Sequence, residues 1–342
     1  MKKKLLLFSL FAATVFTASA QDAPKADPPL VISGSVDTYF KYDFSKHRDP
    51  STGYSNIGTS FANEQNSISI GMIDLGLKKK VGKAAFVGEL AFGPRGQYQS
   101  VPNSPNGDSF HIQNLYVSYD LTDKFTLTGG YMGTFIGYEV ISPVGNFNYS
   151  TSYLFTNGPF QNAGLKGTYV FSDKASLMAG IFQDSWNSYQ STFDVSSFGA
   201  QLFLSPVKGW TAYLNVITGS VSGTEFDITT AYQITDAFKF GVNAATWSAP
   251  HDGGGFSGVA LYPQIAASST VSFGLRGEYF KYKDGGPSVK AFTLTSNIKA
   301  GPLTVIPEVR LDRWNTDEFF KDSDGFATKK ASQFVLAAVY AF

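Results

Sequence analysis

The chain contains no cysteine. That excludes disulfides, thiolate metal sites and a lipid anchor built on a cysteine behind an export signal. Charge is scarce: 16% of residues carry it, and 27 basic residues balance 27 acidic ones. A nucleic-acid partner, which wants a basic face, is therefore not expected. After the first twenty residues no run of 18 apolar residues occurs, so no spanning helix is expected. Histidine is rare as well: only His47, His111 and His251, with no H-x-x-x-H or H-E-x-x-H spacing. No metal site or cofactor follows from them. A G-x-S-x-G elbow is absent. "DSDG" at 322–325 lacks the third acidic ligand and the closing Glu of a calcium loop, and reads as a polar turn.

What is present begins with an export signal. Lys2, Lys3 and Lys4 precede an apolar stretch from Leu5 to Phe16, and Ala18-Ser19-Ala20 supplies a small-residue cleavage site. Residues 1–20 are expected to be a signal peptide, removed after export. Residues 21–29, which include "DAPKADPP", form a short Pro-rich periplasmic lead, and 30–342 one β domain.

The rest is aromatic, with 31 Phe and 18 Tyr, and its apolar residues alternate with polar ones. In "GSVDTYFKYDF" Val36, Thr38, Phe40, Tyr42 and Phe44 share one face, and Asp37, Tyr39, Lys41 and Asp43 the other. "KAFTLTSNIK" sets Phe292, Leu294 and Ile298 against Thr293, Thr295 and Asn297. Period two marks strands with one apolar side. Sixteen such segments start near 31, 66, 83, 109, 124, 161, 175, 195, 208, 223, 238, 255, 270, 288, 303 and 329. Short links such as "VGK" at 81–83 and "SDK" at 172–174 take turns with longer ones, such as 45–65, 94–108 and 137–160. The pattern predicts an all-β, up-and-down antiparallel meander with tight turns at one end and long loops at the other.

An open sheet of this size would expose two edges, and closure removes them. The last strand, "ASQFVLAAVYAF", runs to the final Phe342 and can pair with the first. The polar face is rich in Ser, Thr, Asn and Gly, as a wet lumen tolerates. Aromatics gather near strand ends (Tyr42, Phe44, Phe125, Tyr169, Phe171, Trp210, Phe238 and Tyr340), as in interfacial girdles. Together these point to a transmembrane β-barrel with oil outside and water inside. Pro263 and Pro307 sit inside predicted strands, where a bulge or a one-residue register error is expected.

The terminal Phe with Phe334, Leu336 and Tyr340 behind it on one face resembles the last-strand signal of bacterial outer-membrane barrels. "SGSVDTYFKYDF", "GNFNYSTSYLFTNGPFQNAGLKGTY" and "FGLRGEYF" resemble the "putative β-barrel porin-2" family of Bacteroidota-type Gram-negative bacteria, across the whole mature chain. The resemblance implies a barrel in the cell outer membrane that lets small hydrophilic solutes diffuse passively, without enzymatic chemistry. It implies outer-membrane lipid as a neighbour and barrel-assembly machinery that reads Phe342. Trimerisation through an outward patch is left open, because all lipid-facing surfaces look alike. The other readings are an occluded barrel serving as surface adhesin or anchor, and an outer-membrane phospholipase. The last rests only on His111, which shares parity with Leu115 and Val117 and has no evident Ser and Asn partners.

Strand parity puts Asp37, Asp74, Glu89, Lys166, Arg276, Glu278, Glu308, Arg310 and Asp312 on the polar face, as expected pore-lining residues. The wrong parity for Arg or Lys at mid-membrane would cost about 2–4 kcal/mol. Most of these charges fall around the closure seam, leaving strands four to twelve nearly neutral inside. They either form a transverse field that sorts solutes or, as Arg276–Glu278 and Glu308–Arg310 pairs, brace the wall. In sixteen-stranded porins the third outer loop narrows the pore. Here that place belongs to 137–160, whose only charge is Glu139. Folded inward, it would present Asn146, Asn148, Tyr149, Ser150 and Tyr153 to sugar-like solutes, alongside Glu139.

Overall fold

The computed structural model describes residues 27–97 and 111–342. The signal peptide, most of the lead and residues 98–108 of the second long loop lie outside them. Eight strands make the first half of the sheet: β1 (Val31–Asp43), β2 (Ser67–Val81), β3 (Ala84–Phe92), β4 (Ile112–Thr122), β5 (Phe125–Gly133), β6 (Gln161–Ser172), β7 (Ala175–Phe182) and β8 (Ser197–Leu204). The second half holds β9 (Trp210–Gly219), β10 (Gly223–Gln233), β11 (Phe238–Ser248), β12 (Gly255–Ala266), β13 (Val271–Tyr282), β14 (Ser288–Ala300), β15 (Leu303–Trp314) and β18 (Lys330–Ala341). Each starts within three residues of its sequence expectation. Two-residue strands β16 (Phe320–Lys321) and β17 (Ala327–Thr328) form a small hairpin in the last outer loop.

Sequential neighbours pair antiparallel all the way round, and β18 closes the barrel against β1. The seam extends to the chain end. Phe342 donates its N–H to Gly34 O at 3.0 Å, and Gly34 returns the bond at 3.1 Å. Phe334, Leu336, Tyr340 and Phe342 face outward, while Val335, Ala337 and Val339 are buried inside. Alternation sorts the wall cleanly on β14: Phe292 and Leu294 are 53% and 56% exposed on the outside, and Thr293 and Thr295 are wholly buried inside.

Neither proline produces the expected bulge. Pro263 pairs with Phe240 in unbroken register, and Pro307 with Leu336. On their other sides, toward β13 and β14, the ladders skip two residue pairs and resume in the same register. An antiparallel residue offers its N–H to one neighbour only, so a missing donor interrupts one ladder and spares the other. The register shift that matters lies at Val36/Thr38, where β1 meets β2 around Asp37.

The outer half of the lumen is packed rather than wet. Loop 1 (residues 44–66) and loop 3 (134–160) both fold inside the wall. Phe61, Met72, Ala91, Ile141, Phe155 and Phe160 form one dry cluster there. Tyr153, Leu154, Phe256, Phe280, Trp314 and Phe320 belong to another.

Candidate functional site: a loop latched across the lumen

Loop 3 has little regular structure, only a 3₁₀ turn at Pro143–Gly145 and helix α2 at Tyr153–Asn157. Many of its backbone donors therefore lack partners within the loop, and buried donors must find them elsewhere. The barrel wall supplies them as carboxylates. Glu308 accepts Tyr149 N–H at 2.9 Å and Ser150 N–H at 3.1 Å. Glu278 accepts Tyr153 N–H at 3.0 Å and Leu154 N–H at 2.9 Å. Glu139, on the loop itself, accepts Ser152 N–H at 2.7 Å. Ser152 then caps α2 by accepting Phe155 N–H.

The arginines satisfy the loop's carbonyls. Arg276 pairs with Glu139 at 2.8 Å and donates to Ser150 O and Thr151 O. Arg310 donates to Thr151 O at 2.7 Å, forks onto Asp312 at 2.9 Å twice, and lies over the Tyr153 ring. Tyr149 O–H donates to Asp37 at 2.5 Å, and Tyr153 O–H to Asp312 at 2.7 Å. Burial, followed by the neighbouring carboxylates Asp37 and Asp312, pushes both phenols well above the usual tyrosine range. They stay protonated as donors. Arg276 and Arg310 have no exposed surface, and Glu278, Glu308, Asp312 and Asp37 are buried with them.

The charges thus do something the sequence analysis did not anticipate. Arg276–Glu278 and Glu308–Arg310 are not the pairs that form; Arg276 reaches the loop's Glu139, and Arg310 takes Asp312. Asp74 and Glu89 are half-buried across β2 and β3, with Gln113 and Asn114 donating to Glu89. Lys166 on β6 faces the lumen, and its ammonium group forms no hydrogen bond or ion pair among the described residues.

The loop residues divide similarly. Asn148, Tyr149, Ser150 and Tyr153 are buried and held by the wall, Asn148 by donating to Thr295 at 2.6 Å. Asn146 folds back, its amide bonded to both the N–H and C=O of Val140. The loop's free edge is apolar instead, with Val140 47% and Val144 38% exposed.

Several participants escaped the sequence reading. Arg95, on the short helix α1 (Pro94–Gln97), donates to Ile141 O at 2.7 Å and lies over Phe61 and Tyr149. Lys41 holds loop 1 through Ile57 O. Asp227 accepts Gly137 N–H, Asn215 and Asn243, fixing the root of loop 3. With Glu225, it makes β10 acidic inside, so strands four to twelve are not neutral. Parity marked Asp227 as polar; no local signal says that a loop amide will end on it. His111 precedes β4 and stacks on Phe92 at 4.6 Å. No cluster able to hold a metal exists among the described residues.

The family model described as "Putative beta-barrel porin-2, OmpL-like" matches residues 29–342. No match is found among curated protein sequences. Among solved structures, the outer-membrane channel DcaP of Acinetobacter baumannii is similar at 12% identity and a TM-score of 0.64, covering 92% of this chain and 97% of that one. OmpT of Vibrio cholerae is similar at 13% identity and 0.57, with 92% and 97% covered. At such identities the likeness speaks for the fold.

Proposed function

This chain belongs to the putative β-barrel porin-2 family, and from that premise we propose that it passes small hydrophilic solutes by passive diffusion. It is a transport barrel of the Gram-negative outer membrane, set in lipid, and not an enzyme. The observation that carries the diffusion reading is the one-sidedness of the latch. Loop 3 is bound to β12–β15 and β1, reached by Arg95 behind β3, and rooted on β8 and β10. The facing wall keeps small polar side chains turned inward, such as Ser118, Thr126, Thr128 and Thr168, none of them fully buried. Sixteen strands enclose an aqueous channel where eight would be filled by side chains, and the inward loops crowd its outer half. In this reading loop 3 is the constriction, and its buried polar residues hold it rather than bind solute.

One observation favours a second reading. Loops 1 and 3 interlock, Ser60 donating to Thr156 at 3.0 Å, above dry clusters in the outer half. That packing suits an occluded barrel used as a surface anchor. Single-channel recording in planar bilayers separates the two. Discrete conductance steps support diffusion; a folded, heat-modifiable barrel that stays silent supports the anchor.

A further inference from the structure

The lumen's charges sort by access to water. Nine carboxylates of the described residues are buried against four buried cations, but nearly all of them end on N–H, hydroxyl or guanidinium donors. They crowd the outer half and the latch. Below the loop, toward the short turns, the inward-facing strand charges are mostly lysines. Lys166 lies opposite Thr128, on the face of β6 whose partners turn inward. Lys239 pairs with Gln264 and shares its face with Asn243, which reaches Asp227 in the lumen. Lys299 shares a face with Asn297, which donates to Phe147 O. None of the three ammonium groups forms a hydrogen bond or ion pair among the described residues, and all three side chains keep exposed surface. Lys78 and Lys80 line the same end of β2, Lys80 paired with Asp120 at 2.6 Å.

Resting on the diffusion reading, we propose that the pore selects small anions, carboxylates and phosphates among them, through this lysine-lined periplasmic vestibule. An ion in the open lumen responds most to charges within about 8 Å of electrolyte. There it meets the ammonium groups of Lys166, Lys239 and Lys299, while the carboxylates of the latch are already occupied by donors. Cationic side chains lining a pore favour anions in the way acidic rings favour cations. Lys166 and Lys239 carry the selectivity: Lys166 sits on the wall that loop 3 leaves free, and Lys239 lies on β11 toward the short turns, below the loop's root at Asp227.

The test is the reversal potential of the refolded barrel in a planar bilayer under a tenfold KCl gradient. Chloride should permeate several-fold faster than potassium. The Lys166→Glu/Lys239→Glu variant should bring that ratio below one, with folding checked by heat-modifiable gel mobility. Lys290→Glu, on the outward face of β14, should leave it unchanged. In liposome swelling, glucuronate should enter faster than glucose in the wild type, and more slowly than glucose in the double variant. Conducting channels that prefer potassium, or an unmoved ratio in the folded double variant, would overturn the inference and leave the pore standing. Silent bilayers would overturn the pore and the inference together.

Discussion

Truncating Arg276 to Ala would leave Glu139 buried without its charged partner, and Ser150 O and Thr151 O without a guanidinium donor. A buried charge stripped of its partner costs about 3–5 kcal/mol. Arg276→Ala should therefore lower the unfolding free energy, read from urea titration of the barrel refolded in lipid vesicles, by an amount of that order. Lys166→Ser, which breaks no bond, should stay within about 0.5 kcal/mol of wild type. Equal midpoints for both variants would mean that the latch contributes nothing to stability. Gly71 makes a finer test. A Cβ there would land on the Asp37 carboxylate, which accepts Met72 N–H and Tyr149 O–H. Gly71→Ala should cost about 1–3 kcal/mol by forcing that carboxylate aside. Combined with Tyr149→Phe it should cost less than the sum of the two single changes, since both remove the same bond. A double-mutant cycle of urea midpoints reads this directly.

At the scale of the element, loop 3 behaves as part of the wall. Its amides and carbonyls are bonded, and Tyr149, Tyr153 and Phe155 are buried. Chymotrypsin added outside intact cells should spare these aromatics. It should cut instead at Phe193 and Phe326, which are 76% and 70% exposed in other loops. Cleavage after Tyr149 or Phe155 in folded protein would show the loop undocked. The strands that hold loop 3 were legible in the sequence for a physical reason. Oil on one side forces apolar residues to every second position, and β14 or β18 can be read from that period alone. The docking was not legible. Glu278 and Glu308 stand at polar positions like any other, and nothing within a few residues of them says their oxygens will meet amides 124 to 159 positions away. Arg95 sits on a four-residue helix with no period to betray it. Even the prolines misled, because sequence says nothing about which of two ladders a missing N–H belongs to.

For the whole molecule, the barrel separates three environments rather than two. Lipid meets Phe292, Leu294, Val117 and Leu165 outside. Dry protein meets Thr293, Thr295 and Arg310 inside, beneath loop 3. On the diffusion reading, water meets Thr126, Thr128 and Thr168 on the opposite wall. Spin labels at neighbouring positions can distinguish all three. Labels at 292 and 294 should collide freely with oxygen dissolved in lipid, and little with a water-soluble nickel chelate. Labels at 128 and 168 should show the reverse. A label at 293 or 295 should meet neither, or else should eject loop 3 and expose residues 149–155 to chymotrypsin. A two-state pattern, with 293 and 295 as accessible to the chelate as 128 and 168, would mean an empty cylinder with its loop outside. In that case the carboxylates of β13 and β15 would face open water, and the lumen's field would turn from basic to acidic.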